Sequence, residues 1–452
     1  GMFTYLSKLI NETENGVVEL DCDYIEQSFE KAAFIYGIPI NKNVTINGNG
    51  FTISAASLGR VFEVTNSATL TLNNVTIADA YNSGYGGAIE LSTAGTGLIV
   101  NYGTFMNNYA RGGGAIDSNG RTTIFVNNSV FTNNTSNDRD GAAISAVDAK
   151  LEVYNSVFTN NKATRNGGAI KSEDAVASVY VENCTFINNK ASGSNRGSYG
   201  GAIYGWASGN ITVVDSVFEN NSAANKGGDI YISGGNGNTV TVVNISGNSF
   251  ENSVSPAGNT LHLEQVNASI NYNSIVNGSI YYSYKVNADI ENNWWGSNSP
   301  DWSSLLINND TAADSYAVIA VEGVENGEDS YEITTSVYWN GTEDNTDVDK
   351  LPELDIAYAT SAGSIEGGSG LKVVDLAELS GDGSIGYKVS VTVDNEVQSI
   401  RFGNIVIPVE HTGDDAKDIQ DAIDAALPGD VIDLGDNYQY TDISDINITK
   451  NI

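Results

Sequence analysis

Apolar residues recur along the chain in pairs, and each pair is followed at a fixed distance by a phenylalanine. The phenylalanines from Phe105 to Phe250 are separated by 26, 27, 28, 32 and 32 residues. Seven and five residues before each of them lie two aliphatic residues, as Leu98 and Val100 lie before Phe105. Residues two apart share one face of a β-strand. A strand pattern repeated at this interval is typical of a solenoid, in which stacked coils cover each other's apolar faces.

A second motif, Gly-Gly-Ala-Ile, alternates with the phenylalanine motif, whose full form is Phe-x-Asn-Asn. Its six copies begin at Gly86, Gly113, Gly141, Gly167, Gly200 and Gly227. Glycine suits turns with positive φ, and asparagine tolerates the same region and can stack its amide on the next coil. The two motifs predict an all-β chain with a right-handed parallel β-helix of about ten coils between Val44 and Trp295. Phe51 is expected in the phenylalanine column of the first coil.

Changes in this pattern predict four segments along the chain. They are an N-terminal cap over residues 1–43, the parallel β-helix over 44–302, a small Ig-like β-sandwich over 310–410, and the truncated cap of a following β-helix over 414–452. The first cap has a helical stripe of Phe3, Leu6, Leu9 and Ile10. Such a helix would cover the unpaired end of the stack. At the other end, Trp294 and Trp295 are interpreted as a lid, and the alternative is a sugar-stacking platform.

Charge and composition exclude several classes of partner. The 452 residues include 21 Lys and Arg against 56 Asp and Glu, a formal net charge of −35, which opposes binding to nucleic acid or to an anionic membrane surface. No apolar run reaches about 18 residues, so no transmembrane segment is expected. Cys22 and Cys184 fall in different coils and are expected to form neither a disulfide nor a metal site. Neither His262 nor His411 is expected to lie in a repeat column that also contains acidic partners.

The Gly-Gly-Ala-Ile motif predicts a ligand-binding face. If the isoleucine points inward, the alanine before it and the residue after it should point outward. The alanine column is Ala88, Ala115, Ala143, Ala169 and Ala202, and Asp229 closes it. The neighbouring column is Glu90, Asp117, Ser145, Lys171, Tyr204 and Tyr231. The alanines would form a shallow trough for an extended ligand, bound by Glu90, Asp117, Lys171, Tyr204, Asp229 and Tyr231. The competing interpretation is a tightly packed turn beside an ordinary solvated face.

The same columns contain candidates for catalysis. Glu90 and Asp117 lie one coil apart, so their carboxylates could approach to about 5 Å. A carboxylate pair at that distance suits a retaining glycoside hydrolase. A lyase on this scaffold would need acidic residues for calcium and a basic residue to take a proton, for which Lys171, Arg139 and Arg165 are candidates. No cofactor is expected, and calcium remains an open possibility. The sequence contains no zinc motif and no phosphate-binding loop.

The alternation of Gly-Gly-Ala-Ile with Phe-x-x-Asn between Gly86 and Asn252 resembles the repeats of bacterial polymorphic outer-membrane proteins, which are β-helical surface adhesins. The Asn-Trp-Trp-Gly ending, the Ile-x-Lys-Asn cap and the sandwich resemble large adhesin-like surface proteins of methanogenic archaea. Residues 419–438 resemble the N-terminal cap of pectate-lyase-type β-helices. The adhesin resemblance implies an extracellular, cell-surface protein with Ig-like spacers, and it implies no catalytic residues.

These observations favour a non-enzymatic, adhesin-like binding protein that presents a face of the β-helix to a glycan or protein on another surface. The first alternative is a polysaccharide lyase or glycoside hydrolase, for which Glu90, Asp117 and Lys171 would be catalytic. The second alternative is a structural stalk. A trough filled by side chains would favour the stalk. The ligand, the mode of anchoring and the oligomeric state are left open.

Overall fold

A computed structural model describes residues 1–174, 177–193, 197–235, 241–435 and 448–449. The chain forms two compact units. One comprises Gly1–Trp295, Ser299–Tyr316 and Lys350–Pro352, and the other Gly296–Asn298, Ala317–Asp349 and Glu353–Ile452. The first unit is a stack of parallel strands in regular register, which confirms the predicted parallel β-helix.

The phenylalanines line one side of the helix, here named the Phe face. Ten described strands form this parallel sheet: Tyr24–Ile25, Thr52–Ser54, Thr76–Ala78, Thr104–Met106, Val130–Thr132, Val157–Thr159, Thr185–Ile187, Val217–Glu219, Ser249–Glu251 and Ser274–Val276. The rings of Phe105 to Phe250 are fully buried and stack with centroids 4.8–4.9 Å apart. Each ring therefore fills the space between its copies in the adjacent coils.

One predicted member of the phenylalanine column is wrong. Ile53, and not Phe51, pairs with Ile77 of the next coil and with Tyr24 of the coil before. The turn at Gly48–Gly50 is two residues longer than its counterparts, and the Phe51 amide bonds back to the carbonyl of Gly48 at 2.8 Å. The extra residues shift Phe51 out of register, where it is only partly buried.

The predicted aliphatic pairs line a second side, named the Val face. Its strands are Val17–Glu19, Val44–Asn47, Thr69–Asn73, Gly97–Asn101, Ser178–Glu182, Asn210–Val214, Thr241–Ser246, Val266–Asn271 and Asn287–Asp289, together with the second halves of Ile116–Asn127 and Ile144–Tyr154. Leu98 pairs with Leu70 on one side and Ile124 on the other, and all three are buried. The inward orientation of these columns is confirmed.

The isoleucine of Gly-Gly-Ala-Ile opens the third side, named the Ile face. Its strands are Ile38–Ile40, Phe62–Val64, Ile89–Leu91, Ile170–Glu173, Ile203–Trp206, Ile230–Ser233, Leu261–Glu264, Ile280–Tyr282 and Leu306–Ile307, with the first halves of Ile116–Asn127 and Ile144–Tyr154. A short sheet joins the Phe face to the Ile face through Tyr109–Ala110, Thr135–Ser136, Lys162–Ala163, Lys190–Ala191 and Ser222–Ala223.

The asparagine pair after each phenylalanine has two different roles. The first asparagine, such as Asn160, has a positive φ and forms the turn. The second is buried and forms a ladder along Asn108, Asn134, Asn161, Asn189 and Asn221, with side-chain amide to side-chain carbonyl distances of 2.9–3.0 Å. Each amide also donates to a backbone carbonyl of an earlier coil, as Asn161 does to Phe131. The ladder satisfies polar groups that would otherwise be unpaired in the core.

The β-helix is closed at both ends. Helix Met2–Glu12 buries Phe3, Leu6 and Ile10 against the first coils, and a short helix spans Lys31–Phe34. Strands Val17–Glu19 and Tyr24–Ile25 already belong to the stack, although they lie in the segment expected to cap it. At the other end Trp294 and Trp295 are buried. They therefore close the core, as a lid would, and do not form an exposed platform.

The second unit consists mainly of antiparallel strands, as predicted. One sheet contains Ala317–Gly327, Ser330–Trp339, Val374–Ser380 and Ser364–Glu366, and another contains Ile356–Thr360, Gly386–Val393 and Glu396–Gly403. The sheets contact each other where the ring of Tyr331 lies 4.3 Å from that of Phe402. Two further strands, Val406–Pro408 and Val431–Asp433, pair in parallel. Its helical segments are Asp415–Ala425 and the 3₁₀ turn Val348–Lys350, and Trp302–Leu305 belongs to the first unit.

Part of the predicted second cap, residues 436–447 and 450–452, lies outside the described residues. Within the described part, helix Asp415–Ala425 buries Ala422 and Ile423. Among the helices that the structure describes, none has the length and apolar character needed to cross a membrane.

Candidate functional site

The alanine column does not face solvent, so the predicted trough is wrong. Ala88, Ala115, Ala143, Ala169 and Ala202 are fully buried in the core. The alanine lies in a bend just before the strand that begins at the isoleucine. At most of these steps two consecutive N–H groups share one carbonyl, as Ala88 and Ile89 both donate to the carbonyl of Ala115, at 2.8 and 2.9 Å. At the Ala115-Ile116 step the two N–H groups donate instead to Ala142 and Ala143. The alternation of sides is interrupted, and alanine and isoleucine both lie inside.

Asp229 occupies the alanine position of its coil and is therefore also inside. It is fully buried, and its Oδ1 accepts hydrogen bonds from Asn221 Nδ2 at 2.9 Å and Ser253 Oγ at 2.6 Å. Its Oδ2 has no partner among the described residues. Burial raises the pKa of Asp229 to about 8, although its two hydrogen bonds act to lower it. The expectation that Asp229 closes an outward-facing column is therefore wrong, and the residue ends the asparagine ladder.

The residues after each isoleucine form one column in strict register on the outer side of the Ile face. It runs through Glu90, Asp117, Ser145, Lys171, Tyr204, Tyr231, His262 and Tyr281. His262 thus belongs to a repeat column, contrary to the prediction. The column is recessed, since Asp117, Lys171, Tyr204 and Tyr231 are all buried.

The aromatic half of this column is packed against itself. The ring centroids of Tyr204 and Tyr231 lie 5.4 Å apart, those of Tyr231 and His262 5.2 Å, and those of His262 and Tyr281 4.7 Å. Tyr199 covers Tyr231 with a centroid distance of 4.8 Å. Tyr204 and Tyr231 were predicted as ligand-binding residues, but their rings contact each other and have little exposed surface. Desolvation keeps the pKa of His262 at about 4, so its ring is neutral.

The charged half of the column forms the floor of an open cleft of about 280 Å³. The cleft is lined by Tyr85, Glu90, Gly112, Asp117, Asn119, Arg139, Asp140, Ser145, Val147, Arg165, Lys171 and Glu173. The structure therefore brings together the predicted residues Glu90, Asp117 and Lys171, and places the basic candidates Arg139 and Arg165 beside them. This cleft is the candidate functional site.

Glu90 is held by a buried arginine that the sequence did not indicate. Its carboxylate forms an ion pair with Arg60. The Arg60 guanidinium also donates to the carbonyls of Gly86 at 2.9 Å, Tyr36 at 3.0 Å and Tyr85 at 2.7 Å. Burial raises the pKa of Glu90 even though Arg60 acts to lower it. Glu90 is therefore a fixed acceptor at one end of the cleft.

Asp117 lies on the floor, directly beside Glu90 in the strand register. Its side chain is almost completely buried. Burial raises the pKa of Asp117 to about 7, while a hydrogen bond with Ser145 acts to lower it. At neutral pH the group is thus divided between a carboxylate and a carboxylic acid. It can accept a hydrogen bond in the first form and donate one in the second.

Lys171 is surrounded by two carboxylates that the sequence analysis missed. Its Nζ lies 3.3 Å from Asp140 Oδ2 and 2.5 Å from Glu173 Oε2. Burial acts to lower the pKa of Lys171, but the two carboxylates outweigh it and the pKa is raised. The ammonium group therefore stays protonated, which makes Lys171 a poor candidate for a proton-accepting base.

Arginines occupy equivalent positions of three successive coils, and two of them, Arg139 and Arg165, line the cleft. Arg111, Arg139 and Arg165 each lie two residues before the first glycine position of the motif, in three consecutive coils. Arg111 Nε pairs with Asp138 Oδ2 at 2.7 Å, and Arg165 Nε lies 3.8 Å from Asp140 Oδ1. The Nε of Arg139 is buried and has no hydrogen-bond partner in the described part of the chain. The constant offset from the glycine motif was the signal that could have revealed this column.

Most acidic side chains of the cleft are paired with basic ones. Among the described residues, no group of three or more Asp, Glu, His or Cys side chains converges as a metal site would require. In the cleft, the carboxylates of Glu90, Asp140 and Glu173 are instead paired with Arg60, Arg165 and Lys171.

The stacked motifs of this face are also where the chain is similar to a known family. Two segments match the Chlamydia polymorphic membrane protein repeat. They are residues 155–173 and 183–205. Each runs from a Phe-x-Asn-Asn motif to the next Gly-Gly-Ala-Ile motif, and the first contains Lys171 and Glu173 of the cleft. No curated protein and no solved structure has significant similarity to the chain. The protein thus carries repeats of the polymorphic membrane protein type on a parallel β-helix.

Proposed function

We propose that the protein is an extracellular, cell-surface binding module of the adhesin type, which holds its ligand in the cleft on the Ile face. The proposal is supported by the family of the repeats and by the cleft itself. The decisive observation is that charged side chains from four successive coils converge on one recess. Buried partners hold them in place, as Arg60 does for Glu90. Binding sites on rigid strands with fixed side chains are pre-organised for a ligand.

Binding accounts for the groups in this cleft better than cleavage does. A hydrolase or lyase needs a group that can take up a proton during the reaction. Lys171 is held in its protonated form by Asp140 and Glu173, and arginines do not lose their proton in proteins. The carboxylate of Glu90 is occupied by its ion pair with Arg60 and is therefore a poor proton acceptor. These pairs favour recognition of a ligand without turnover.

One observation favours glycan cleavage as the second candidate function. Asp117 has a pKa near 7 and lies one strand from Glu90 in the register. A carboxylic acid of this kind next to a carboxylate is the arrangement that glycoside hydrolases use. In that case Asp117 would donate the proton and Glu90 would have to leave Arg60.

The buried alanine column fits the stalk hypothesis along much of the β-helix. Without a trough, those coils present ordinary turns and act as a spacer. A spacer alone, however, has no need of a recessed cluster of charges, because burying charged groups is unfavourable unless they are paired. We therefore assign the spacer role to the rest of the helix and the binding role to the cleft.

A glycan-array screen of the whole chain, with and without calcium, tests this proposal when it is combined with a variant that fills the cleft. Val147→Trp places a large ring in the recess, and Trp206 occupies the same column two coils further on, so the fold accepts tryptophan there. Val242→Trp, at an exposed position of the Val face, is the matched control. We expect binding that Val147→Trp abolishes and Val242→Trp preserves.

Two results would contradict the proposal. Binding that survives Val147→Trp would show that the ligand does not enter the cleft. Cleavage products in the mass spectrum of a bound glycan would replace the adhesin by an enzyme, and Asp117→Asn would then be expected to abolish the products.

A further inference from the structure

The overall charge of −35 favours neutral or basic ligands, and the cleft itself is lined by four acidic and three basic residues, yet its arginines lie together on one side. The arginine column places Arg111, Arg139 and Arg165 at equivalent positions of three consecutive coils. The backbone fixes this arrangement, since the N–H of Arg165 donates to the carbonyl of Arg139 at 3.2 Å. Adjacent strands in a sheet lie about 4.8 Å apart. The backbone positions of the three arginines therefore form a regular row along the helix axis.

The middle arginine lacks the partner that its neighbours have. Arg111 is paired with Asp138 and Arg165 lies near Asp140, but Arg139 forms no ion pair with any described residue. Its Nε is buried and makes no hydrogen bond there. An unpaired buried donor is unfavourable, and a guanidinium matches the two oxygens of a carboxylate. Arg139 lines the cleft and acts on Asp138 only through its charge, so the accessible part of its guanidinium can pair with an anionic group of a ligand.

The floor of the cleft offers a different chemistry from its edge. Asp117 and Ser145 present a carboxyl and a hydroxyl group, which exchange hydrogen bonds with ligand hydroxyls. At one end the ring of Tyr85 is 40% exposed. It lies across Gly112, where a Cβ atom would come within 2.9 Å of its Cδ1. Because residue 112 is a glycine, the Tyr85 ring can lie directly over it. The ring offers a flat apolar surface for a sugar.

The spacing of the arginine column distinguishes between two kinds of acidic chain. Side chains on one side of an extended peptide recur about every 6.6–6.8 Å, so acidic side chains would lose register with coils about 4.8 Å apart. The hydroxyl-binding floor and the exposed ring of Tyr85 therefore favour an acidic polysaccharide over an acidic peptide.

We propose that the cleft binds an acidic polysaccharide of the uronate type, with a carboxylate on Arg139, further positive charge from Arg165 and Arg111, and its hydroxyl groups on Asp117 and Ser145. This inference rests on the proposed function, because it names the ligand of the same cleft. Arg139 provides the central anion contact. Lys171, which is already paired with Asp140 and Glu173, contributes charge and not a direct contact.

Isothermal titration of the whole chain with oligouronates tests this assignment. The probes are oligomers of galacturonate, glucuronate and mannuronate, each compared with its fully methyl-esterified form, in EDTA and then in calcium. We expect at least one oligouronate to bind in EDTA, and its methyl ester to bind about tenfold to a hundredfold more weakly, because charge-assisted hydrogen bonds are lost. We expect Arg139→Gln to weaken binding to a similar extent.

The matched control is Arg121→Gln, which removes the same charge from an exposed arginine of a neighbouring coil that does not line the cleft. It should leave the affinity within about twofold, the change expected from long-range charge alone. Equal effects of the two substitutions, equal affinity for the ester, or equal affinity for an acidic peptide such as oligoglutamate would each overturn the assignment. Oligouronate binding that requires calcium and is not weakened by Arg139→Gln would also overturn the assignment.

The two proposals fail in different ways. A neutral glycan that binds the wild type and is excluded by Val147→Trp would refute the uronate assignment and leave the binding cleft intact. An oligouronate whose binding survives Val147→Trp would refute both proposals.

Discussion

The side-chain amide of Asn221 donates to Asp229 at 2.9 Å, so the buried ladder of asparagines ends on a carboxyl group. Each earlier member of the ladder donates to the next asparagine, as Asn189 does to Asn221 at 3.0 Å. Asn221 Nδ2 donates instead to Asp229 Oδ1, which also accepts a hydrogen bond from Ser253 Oγ. The regular column of amides is thus terminated inside the core by a group that can be charged, and this makes stability depend on pH.

We expect the free energy of unfolding to decrease as the pH rises from about 4 to above 8. Burial raises the pKa of Asp229 from 3.8 to about 8 in the folded state, so the folded chain retains a proton that the unfolded chain loses above pH 4. This contribution is fully present below pH 4 and is lost as the pH passes through 8. Denaturant unfolding at pH 5, 7 and 9 measures it.

Asp229→Asn isolates the contribution of this residue. Asparagine cannot ionise and retains the carbonyl oxygen that accepts from Asn221 and Ser253, so the variant should gain stability relative to wild type between pH 5 and pH 9. Asp117 and Glu26, whose pKa values burial raises to about 7, produce a similar slope that remains in the variant. A difference between the two proteins that does not change with pH would show that Asp229 is ionised in the fold.

Phe158→Ala should lower the free energy of unfolding by roughly 3–5 kcal/mol, because it leaves a cavity between rings that cannot close. The ring of Phe158 lies 4.9 Å from Phe131 and 4.8 Å from Phe186, centroid to centroid. Phe29→Ala is the matched control, because Phe29 is 75% exposed. It should change stability by less than about 0.5 kcal/mol. Equal melting curves for the two variants would contradict the assigned register.

The sequence predicts the stack well because its signal is a simple period. The column of Phe158 could be derived from strand alternation and repeat length alone. The alanine column could not, because alternation assumes an unbroken strand, and the alanine lies in the bend before the strand that begins at the isoleucine. The sequence also could not place Asp140 beside Lys171, since contacts across turns depend on how the coil closes, whereas Glu173 lies two residues from Lys171 on the strand Ile170–Glu173 and could have been derived from alternation. His262 was missed because its coil has no complete Gly-Gly-Ala-Ile motif, although Leu261 takes the place of the isoleucine.

Cys184→Ser should be tolerated, with a change in stability below about 1 kcal/mol. Cys184 Sγ accepts from the N–H of Ser156 at 3.4 Å, and the N–H of Cys184 donates to Ser216 Oγ at 3.0 Å. The nearby positions of its column, Ser129, Ser156 and Ser216, are serines with the same contact. A hydroxyl group therefore fits the site and forms a stronger hydrogen bond than a thiol. Thermal unfolding under reducing conditions measures the change, and Cys184→Val, which removes the acceptor, should be clearly less stable.

Glu90→Gln should destabilise the protein by roughly 1–3 kcal/mol, in contrast to the small effect expected of a solvated charge. The substitution removes the charge that neutralises Arg60, whose side chain is only 4% exposed. The cost stays below that of a fully buried pair because Arg60 keeps its hydrogen bonds to three backbone carbonyls. Glu152→Gln breaks the exposed pair with Lys150 and serves as the control, with an expected effect below about 0.5 kcal/mol. Urea unfolding at pH 7 measures the free energy of unfolding of both variants relative to wild type. An equally small loss in the two would mean that Glu90 is not paired with Arg60 in solution and is available to a ligand.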